Sequence, residues 1–349
     1  MPESDISGTL VRFVCQSEMT TISRFCHLQN EKNGQTSFLT LGMGTAFAAS
    51  QVLSAGFEPL KLRRERLNVG ASRPFSVMHL SDTHIVRADS HDDERKIRLA
   101  AVRYPMMGFG EHYLDEAVHL ARTKGAQLVH TGDMIDFVSH ANLEYVRRVF
   151  ESDDWIVAAG NHEYSQYVGE AREDAAYKAQ STAKLKAAYP NDLDFSSRVV
   201  NGVNFVSADD VYYNFTARQL ELFEKEVEKG LPIVFLCHVP IHAPRHYAHQ
   251  LTLTKGICAY ETGVPDELVA TWKAQGPFPS GQEWRDRRVQ QRTDGETAEF
   301  IKYLKAQKLV KAVLCGHCHE YWEEPLSATA TQYVAAATYK GEATYLEIS

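Results

Sequence analysis

The clearest pattern in the chain is a series of short apolar runs that alternate with segments of helical periodicity from residue 75 onwards. Short apolar runs bounded by turn residues are typical of buried strands, and apolar residues every three or four positions are typical of helices. The predicted strands are 75–80, 127–130, 155–159, 198–200, 204–207, 232–237, 311–315, 332–336 and 343–348. The predicted helices are 111–124, 142–150, 171–188, 217–229 and 297–307. This alternation predicts an α/β layered core.

Two parts of the chain depart from this pattern. Residues 1–70 are predicted to be an N-terminal arm, in which 38–57 is an uncharged apolar segment. That segment has the composition of an export signal, a membrane anchor or a buried helix, and all three interpretations stay open. Residues 71–349 are predicted to be one domain with an insertion at 240–296. An insertion of this length usually serves a site or carries a small subdomain.

The charge of the chain restricts its partners. The 349 residues carry a formal net charge of −8, which does not suit the broad grip on nucleic acid that clustered Lys and Arg provide. A small phosphorylated partner is compatible with this charge, because bound cations reverse the local field. The 6 cysteines are too sparse for a disulfide scaffold, and we expect buried thiols, including Cys315 and Cys318.

Metal-capable side chains follow five of the predicted strands. They are Asp82 and His84, Asp133 and Asp136, Asn161 and His162, His238, and His317 and His319. Ligands of open α/β sheets bind beyond the carboxyl ends of strands, so we expect these side chains to converge. Their mixture of carboxylate, carboxamide and imidazole ligands suits Mn, Zn or Fe better than Ca or a structural Zn.

The spacing of these groups predicts how they bind. Asp82 and His84 would point to one face of an extended segment and hold one ion, and His317 and His319 would do the same. Glycine beside such groups lets the backbone turn tightly and approach a ligand closely. The glycines in these positions are Gly132, Gly160 and Gly316.

The order of these groups resembles the calcineurin-like metallophosphoesterase family, in particular its bacterial members. The family motifs D-x-H, G-D-x-x-D, G-N-H-E, H and G-H-x-H match residues 82–84, 132–136, 160–163, 238 and 316–319. The resemblance covers roughly residues 75–348. It implies a layered β-sandwich of mixed sheets flanked by helices. It also implies a hydrolase of phosphate monoesters or diesters.

The resemblance further implies that two divalent metal ions bind, with Asp133 as the ligand that both ions share. The other ligands of the first ion would be Asp82, His84 and His319. The other ligands of the second ion would be Asn161, His238 and His317. Two ions about 3.5–4 Å apart can activate a water or hydroxide for in-line attack on phosphorus. Mn, Zn and Fe all remain candidates.

Two residues are implied to act without being dedicated metal ligands. His162 would face the substrate and assist the leaving group, because imidazole titrates near neutral pH. Asp136 would orient a metal ligand. Specificity for a small phosphorylated substrate is expected from the loops 86–110 and 240–296. Within the second loop, we expect a solvated stretch that contains His242, His246 and His249.

Two other functions stay open at this stage. The first is a metal-binding scaffold that holds a partner without turnover, and the intact His162 speaks against it. The second is a membrane-associated lipid phosphoesterase, which only segment 38–57 supports. We favour a cytoplasmic location in a bacterium over export or membrane attachment. The sequence determines neither the substrate nor the oligomeric state.

Overall fold

The protein is described here by a computed structural model that covers residues 58–165, 168, 175–274 and 286–349. Residues Pro59–Ser349 form one compact unit. The predicted apolar segment 38–57 lies outside the described residues, as do the first residues of the helix predicted at 171–188. Among the helices that the structure describes, none has both the length and the apolar composition that crossing a membrane requires.

The first of two β-sheets has five strands in the order β1-β11-β2-β3-β4. Their bounds are Lys61–Leu67 for β1, Phe75–Leu80 for β2, Gln127–His130 for β3, Trp155–Val157 for β4 and Glu342–Ile348 for β11. Neighbouring strands are parallel except for β11 and β2, which are antiparallel. Strand β1 lies within the range expected to be an arm. Its sequence KLRRERL gave no apolar run, because this edge strand leaves most side chains exposed.

The second sheet has six strands in the order β5-β6-β7-β8-β10-β9. Their bounds are Phe195–Val200 for β5, Val203–Ala208 for β6, Ile233–Leu236 for β7, Val310–Cys315 for β8, Trp322–Pro325 for β9 and Thr331–Val334 for β10. The four inner strands are parallel, and the two outer strands are antiparallel to their neighbours. All residues of β6 are buried, which agrees with a sheet covered on both faces.

Helices cover the outer faces of the sheets. Their bounds are Glu94–Met107 for α1, Gly110–Lys124 for α2, His140–Ser152 for α3, Ala175–Leu185 for α4, Ala217–Glu228 for α5, Pro244–Leu253 for α6, Asp266–Val269 for α7, Arg287–Gln290 for α8 and Gly295–Ala306 for α9. Helix α5 begins at the predicted N-cap Thr216, whose hydroxyl accepts a hydrogen bond from the backbone of Gln219. Helix α2 ends at Gly125, whose φ of 61° is left-handed.

Alternate residues of the strands divide the core into layers. Val77 and Leu346 of the first sheet pack with Phe205 and Leu236 of the second sheet. The opposite faces pack against helices, as when Phe235 contacts Phe300 of α9. The order helix, sheet, sheet, helix confirms the predicted class, a layered β-sandwich of mixed sheets flanked by helices.

The two regions expected to be loops contain helices. Helix α1 lies within 86–110, and helices α6, α7 and α8 lie within the insertion 240–296, of which 275–285 fall outside the described residues. The prediction of a solvated stretch was wrong for His246, which is fully buried. His242 and His246 both contact the buried carboxylate of Glu261, at 2.8 and 2.7 Å from Nδ1. These imidazoles can be buried because Glu261 provides a hydrogen-bond partner for one ring nitrogen of each.

Candidate metal centre

The predicted metal-capable side chains meet between the two sheets, just beyond the carboxyl ends of their strands. Strands β2, β3 and β4 supply those from the first sheet, and β7 and β8 supply those from the second. The side chains form two main groups in which the ligand atoms of each group lie within 4.8 Å of one another, and His84, Asp136 and His162 lie equally close together. Asp133 belongs to both groups. The predicted convergence of these strand ends is therefore present in the structure.

The first group consists of Asp82, His84, Asp133 and His319. His319 Nε2 lies 3.1 Å from Asp82 Oδ1 and 3.1 Å from His84 Nε2. His84 Nε2 also lies 3.6 Å from Asp133 Oδ2. Four ligand atoms therefore surround one point, which is the arrangement that a coordinated cation needs.

The second group consists of Asp133, His238 and His317, with Asn161 beside them. His238 Nε2 lies 3.3 Å from Asp133 Oδ2 and 3.0 Å from Asn161 Oδ1. His317 Nδ1 lies 3.2 Å from the same His238 nitrogen. Because Asp133 Oδ2 is close to both His84 and His238, its carboxylate stands between the two groups.

The backbone that presents these ligands differs from the prediction. Asp82 and His84 have φ angles of 53° and 49°, so the segment is left-handed where we expected it to be extended. His317 and His319, at 69° and 57°, are left-handed too. They belong to different groups, which is the division that the family resemblance implied, whereas their spacing alone predicted a shared ion. The backbone turns at each of these four residues. A fully extended segment would place the second side chain of each pair too far from its group.

Hydrogen bonds at the rear of the imidazoles orient their lone pairs. His84 Nδ1 donates to Asp136 Oδ1 at 3.0 Å, and His238 Nδ1 donates to the carbonyl oxygen of Thr131 at 2.7 Å. Each Nε2 is then left facing its group. His317 Nε2 lies 3.0 Å from the hydroxyl of Tyr213, so a proton on Nε2 is satisfied there and Nδ1 keeps its lone pair. Such outer contacts are typical of metal-binding histidines.

Three buried ligand atoms indicate that a cation fits this centre. Asp82 Oδ1 is buried and receives no hydrogen bond of good geometry from the described residues, although His319 Nε2 lies 3.1 Å away. His238 Nε2 and Asn161 Oδ1 face each other at 3.0 Å, and both are acceptors when His238 is neutral. A cation between these groups would satisfy all of them, and the mixture of oxygen and nitrogen donors suits Mn, Zn or Fe.

Without a cation, protons take its place. Burial lowers the pKa of His84, but the contacts with Asp136 and Asp82 outweigh burial and raise that pKa to about 10. Burial lowers the pKa of His238 as well, and Asp133 outweighs it, so that this pKa also rises to about 10. Metal binding must therefore displace protons from buried imidazoles.

His162 lies beside the two groups and is more accessible than the buried ligands. Its backbone N–H donates to Asp133 Oδ1 at 2.8 Å, and its ring Nδ1 donates to the carbonyl oxygen of Asp136 at 2.6 Å. Its Nε2 lies 4.0 Å from Asp133 Oδ2. The side chain is 10% exposed, whereas those of His84 and His238 are fully buried. Only the Nε2 edge is thus available to a bound molecule.

Arg103 was not predicted to contribute to the centre, and it lies behind Asp136. This residue of α1 forms two hydrogen bonds with Asp136, from Nε and from a terminal nitrogen, both 2.7 Å long. Burial raises the pKa of Asp136, but hydrogen bonds from Arg103, His162 and His84 outweigh burial and hold that pKa far below its usual range. Asp136 thus stays anionic, contacts His84 and lies in a group with His84 and His162, and its role in orienting a metal ligand stays a prediction.

Glu163, the last residue of the G-N-H-E motif, joins two loops of the centre. Its carboxylate accepts hydrogen bonds from the backbone N–H of Asp133 at 2.8 Å and of Gly160 at 2.7 Å. A Cβ on Gly160 would lie 2.7 Å from Glu163 Oε2, and one on Gly316 would lie 2.6 Å from Asp82 Oδ2. These two glycines therefore allow the close approach that the sequence predicted.

Cysteines take no part in this centre. Cys315 is buried and Cys318 is partly buried, and no metal-capable group in the described part of the chain includes a cysteine. Burial raises the pKa of both thiols well above the ordinary value. A protonated, buried thiol is a poor metal ligand, so the C-x-x-C spacing reflects packing.

Several solved structures resemble this chain in fold. A dimetal phosphatase from Danio rerio is 15% identical, with a TM-score of 0.43 over 77% of this chain and 89% of that chain. The phosphopantetheinyl hydrolase of Mycobacterium tuberculosis is 10% identical, with a TM-score of 0.35 over 78% of this chain and 92% of that chain. A 5'-nucleotidase from Candida albicans is 12% identical, with a TM-score of 0.35 over 81% of this chain and 47% of that chain. No substrate is inferred from these similarities.

The sequence itself identifies the family. No curated protein matches the sequence at a significant level. The family model described as calcineurin-like phosphoesterase matches residues 75–321, which is more than two thirds of the chain. That range contains every metal-capable side chain of the centre. The chain belongs to the calcineurin-like phosphoesterase family.

Proposed function

We propose that this protein hydrolyses monoesters or diesters of phosphoric acid with two divalent metal ions. The observation that carries the proposal is the position of Asp133 Oδ2, 3.6 Å from His84 Nε2 in one ligand group and 3.3 Å from His238 Nε2 in the other. A short carboxylate shared by two groups suits a pair of neighbouring cations, whose mutual repulsion it reduces. When bound, such a pair supplies Lewis acidity and an activated water for attack on phosphorus.

Seven side chains would hold the two ions. The ligands of the first ion would be Asp82, His84, Asp133 and His319. The ligands of the second ion would be Asp133, Asn161, His238 and His317. Fully buried ligands such as His84 exclude bulk water, which strengthens their interaction with a cation. Partly exposed side chains, including His319, line the side of the site that faces solvent.

His162 is the proposed proton donor to the leaving alcohol. Its Nδ1–H is occupied by the carbonyl oxygen of Asp136, so only Nε2 can transfer a proton. A protonated imidazole also attracts a phosphate oxygen, and it would hold the substrate before the ester bond breaks. The substrate is proposed to be small and phosphorylated, and the negative net charge of the chain does not support a nucleic-acid partner.

A metal-reconstitution experiment tests this function. Protein stripped of metal with a chelator would be reloaded with Mn²⁺, Zn²⁺ or Fe²⁺ separately and assayed with aryl phosphate monoesters and diesters. We expect hydrolysis to return with at least one ion. His162→Ala should lower kcat by about 10²–10⁴-fold at unchanged metal content, because general acid catalysis contributes that much.

His119→Ala serves as the control, since His119 is exposed on α2. It should retain the wild-type kcat. Metal-loaded protein that turns over neither class of ester would favour the non-catalytic scaffold. Turnover of phospholipid vesicles alone would favour the lipid phosphoesterase. Equal kcat in His162→Ala and wild type would remove the proposed role of His162.

A further inference from the structure

A second cluster of metal-capable side chains lies on the surface, outside the two groups described above. It consists of Asp89, His91 and His140, whose ligand atoms lie within 4.8 Å of one another. Asp89 and His91 follow β2 in the loop that carries Asp82 and His84, and His140 is the first residue of α3. We propose that Asp89, His91 and His140 form an additional binding site for one divalent cation of the Zn²⁺ type.

The distances within this cluster match those between ligands of one cation. His91 Nδ1 lies 3.2 Å from Asp89 Oδ1, and His140 Nδ1 lies 3.3 Å from Asp89 Oδ2. Both contacts also have hydrogen-bond geometry, so protons on the imidazoles hold the cluster together until a cation replaces them. Zn²⁺ bonds of about 2.0–2.2 Å in tetrahedral geometry place adjacent ligands about 3.3–3.5 Å apart.

The metal centre of the family provides an internal comparison. There, His238 Nε2 and Asp133 Oδ2, which are proposed to bind the same ion, are 3.3 Å apart. The surface cluster therefore repeats the nitrogen-to-oxygen spacing of the centre at a place that the family motifs do not reach. Two imidazoles and one carboxylate are also the protein ligands of many zinc sites, in which a water completes the four-coordinate geometry.

Neighbouring hydrogen bonds hold the two segments of the cluster in place. The carboxylate of Asp92 accepts from the backbone N–H of His140 at 2.6 Å and of Asp89 at 3.1 Å. The backbone N–H of His91 donates to Asp89 Oδ1 at 2.8 Å. A preformed site costs less ordering when the ion binds. The carboxylate of Asp92 also adds negative charge beside the proposed ligands.

The cluster is open to solvent, which gives a cation an entry path and leaves room for bound water. The side chains of Asp89, His91 and His140 are 41%, 69% and 47% exposed. The rings of His91 and His140 lie side by side, with centroids 4.5 Å apart and planes tilted by 37°. Both rings can thus turn their Nδ1 atoms towards Asp89 from the same side.

An ion at this site would connect the loop after β2 to the start of α3. The segments already touch nearby, because Ser139 Oγ donates to the carbonyl oxygen of Arg87 at 2.7 Å. The loop after β2 carries Asp82 and His84, and α3 follows the segment that carries Asp133 and Asp136. The ion would therefore cross-link the loop after β2 and the start of α3.

Counting bound ions tests the proposal on the full-length protein. Metal-free protein would be dialysed against Zn²⁺, and the bound ions would be measured by elemental analysis. The variants to be compared with wild type are His91→Ala/His140→Ala, Asp133→Asn/His238→Ala and His119→Ala. Substitution of exposed His91 and His140 should leave the fold intact, which circular dichroism would verify.

We expect three ions on wild type and on His119→Ala, and two on His91→Ala/His140→Ala with unchanged ester hydrolysis. Asp133→Asn/His238→Ala should keep the surface ion. Equal numbers of ions on wild type and on His91→Ala/His140→Ala would overturn the surface site. If wild type binds a single ion that His91→Ala/His140→Ala loses, the surface site stands and the proposed two-metal function falls.

Discussion

At the level of single residues, Arg103 connects helix α1 to the candidate metal centre. Its two hydrogen bonds to Asp136 fix the carboxylate that in turn contacts His84 and His162. Through Asp136, one guanidinium thus acts on a proposed metal ligand and on the proposed proton donor. Substituting a residue that orients a metal ligand commonly lowers activity as strongly as substituting some of the ligands themselves.

Replacing Arg103 should therefore lower activity although it is not a proposed ligand. We expect Arg103→Ala to reduce kcat with aryl phosphates by about 10–100-fold, because Asp136 loses the two hydrogen bonds from Arg103. Arg103→Lys should restore only part of that loss, since an ammonium group does not reproduce the bidentate fork. Steady-state kinetics at matched metal content would measure both.

Arg98→Ala is the matched control, because Arg98 lies on the same helix and its exposed side chain pairs only with Glu94 in the contacts described. Its kcat should equal that of wild type. Wild-type kcat in Arg103→Ala would show that Asp136 keeps its position without Arg103.

At the level of elements, Glu163 ties the loop after β3 to the loop after β4. Its carboxylate is fully buried and accepts from the backbone N–H of Met134 at 2.9 Å, in addition to Asp133 and Gly160. The hydroxyl of Tyr189 donates to it at 2.8 Å. Because each donor needs an acceptor lone pair, an ionised carboxylate is the group that satisfies them.

Glu163→Gln tests this connection. The amide nitrogen of glutamine cannot accept, so backbone donors of one loop would be left buried and unpaired. We expect the free energy of unfolding to fall by about 2–4 kcal/mol, measured by urea denaturation of the metal-free protein.

Glu296→Gln gives a comparison at an exposed site, where the carboxylate accepts from the backbone of Ala217 at 2.9 Å. Its effect should stay below about 1 kcal/mol. Similar losses in the two variants would mean that the loops after β3 and β4 hold together without the charge of Glu163.

Elements with a strong apolar pattern could be predicted from the sequence, and the others could not. Strand β7 is an uninterrupted apolar run, and α5 has a capping box at Thr216 and Gln219. Strand β1 was missed because an edge strand needs few apolar residues. Helix α1 was missed because Val102, Tyr104 and Met106 are exposed, which obscures the apolar face.

At the level of the whole molecule, each proposed ligand group takes residues from both sheets. The first group combines Asp82 and His84 of the first sheet with His319 of the second. The position of these residues at strand ends predicted that they would meet, because the carboxyl ends of neighbouring strands converge regardless of the conformation of the loops. Arg103 and Tyr213 were not predicted, since their contacts depend on how α1 and the turn at Val211–Tyr213 pack.

Two buried histidines, His79 and His130, are expected to make the stability of the protein depend on pH. Burial lowers the pKa of His79 and of His130 to about 3 in the folded protein, against about 6.5 when unfolded. Stability from these neutral imidazoles is complete above pH 6.5 and is lost as the pH falls towards 3, because the unfolded chain then binds more protons. Metal-free protein should therefore lose several kcal/mol between about pH 7 and about pH 4.

His130→Gln separates this effect from other carboxylate and imidazole titrations. Glutamine can keep a contact with Thr83 Oγ1, which lies 2.8 Å from His130 Nε2, but it does not titrate. Urea denaturation across this pH range should give a shallower loss of stability in the variant. Parallel curves for both proteins would mean that His130 gains its proton at the same pH in the folded and unfolded states.

The distribution of ligands over both sheets has a consequence for biosynthesis. His317 and His319 follow β8, late in the sequence, whereas Asp82 and His84 are made early. A ribosome-bound chain that has emerged only as far as β4 therefore possesses fragments of each proposed ion site and a whole copy of neither. Hydrolytic capacity would appear abruptly, when translation delivers the final histidines, and a prematurely terminated chain would be inert towards cellular phosphate esters.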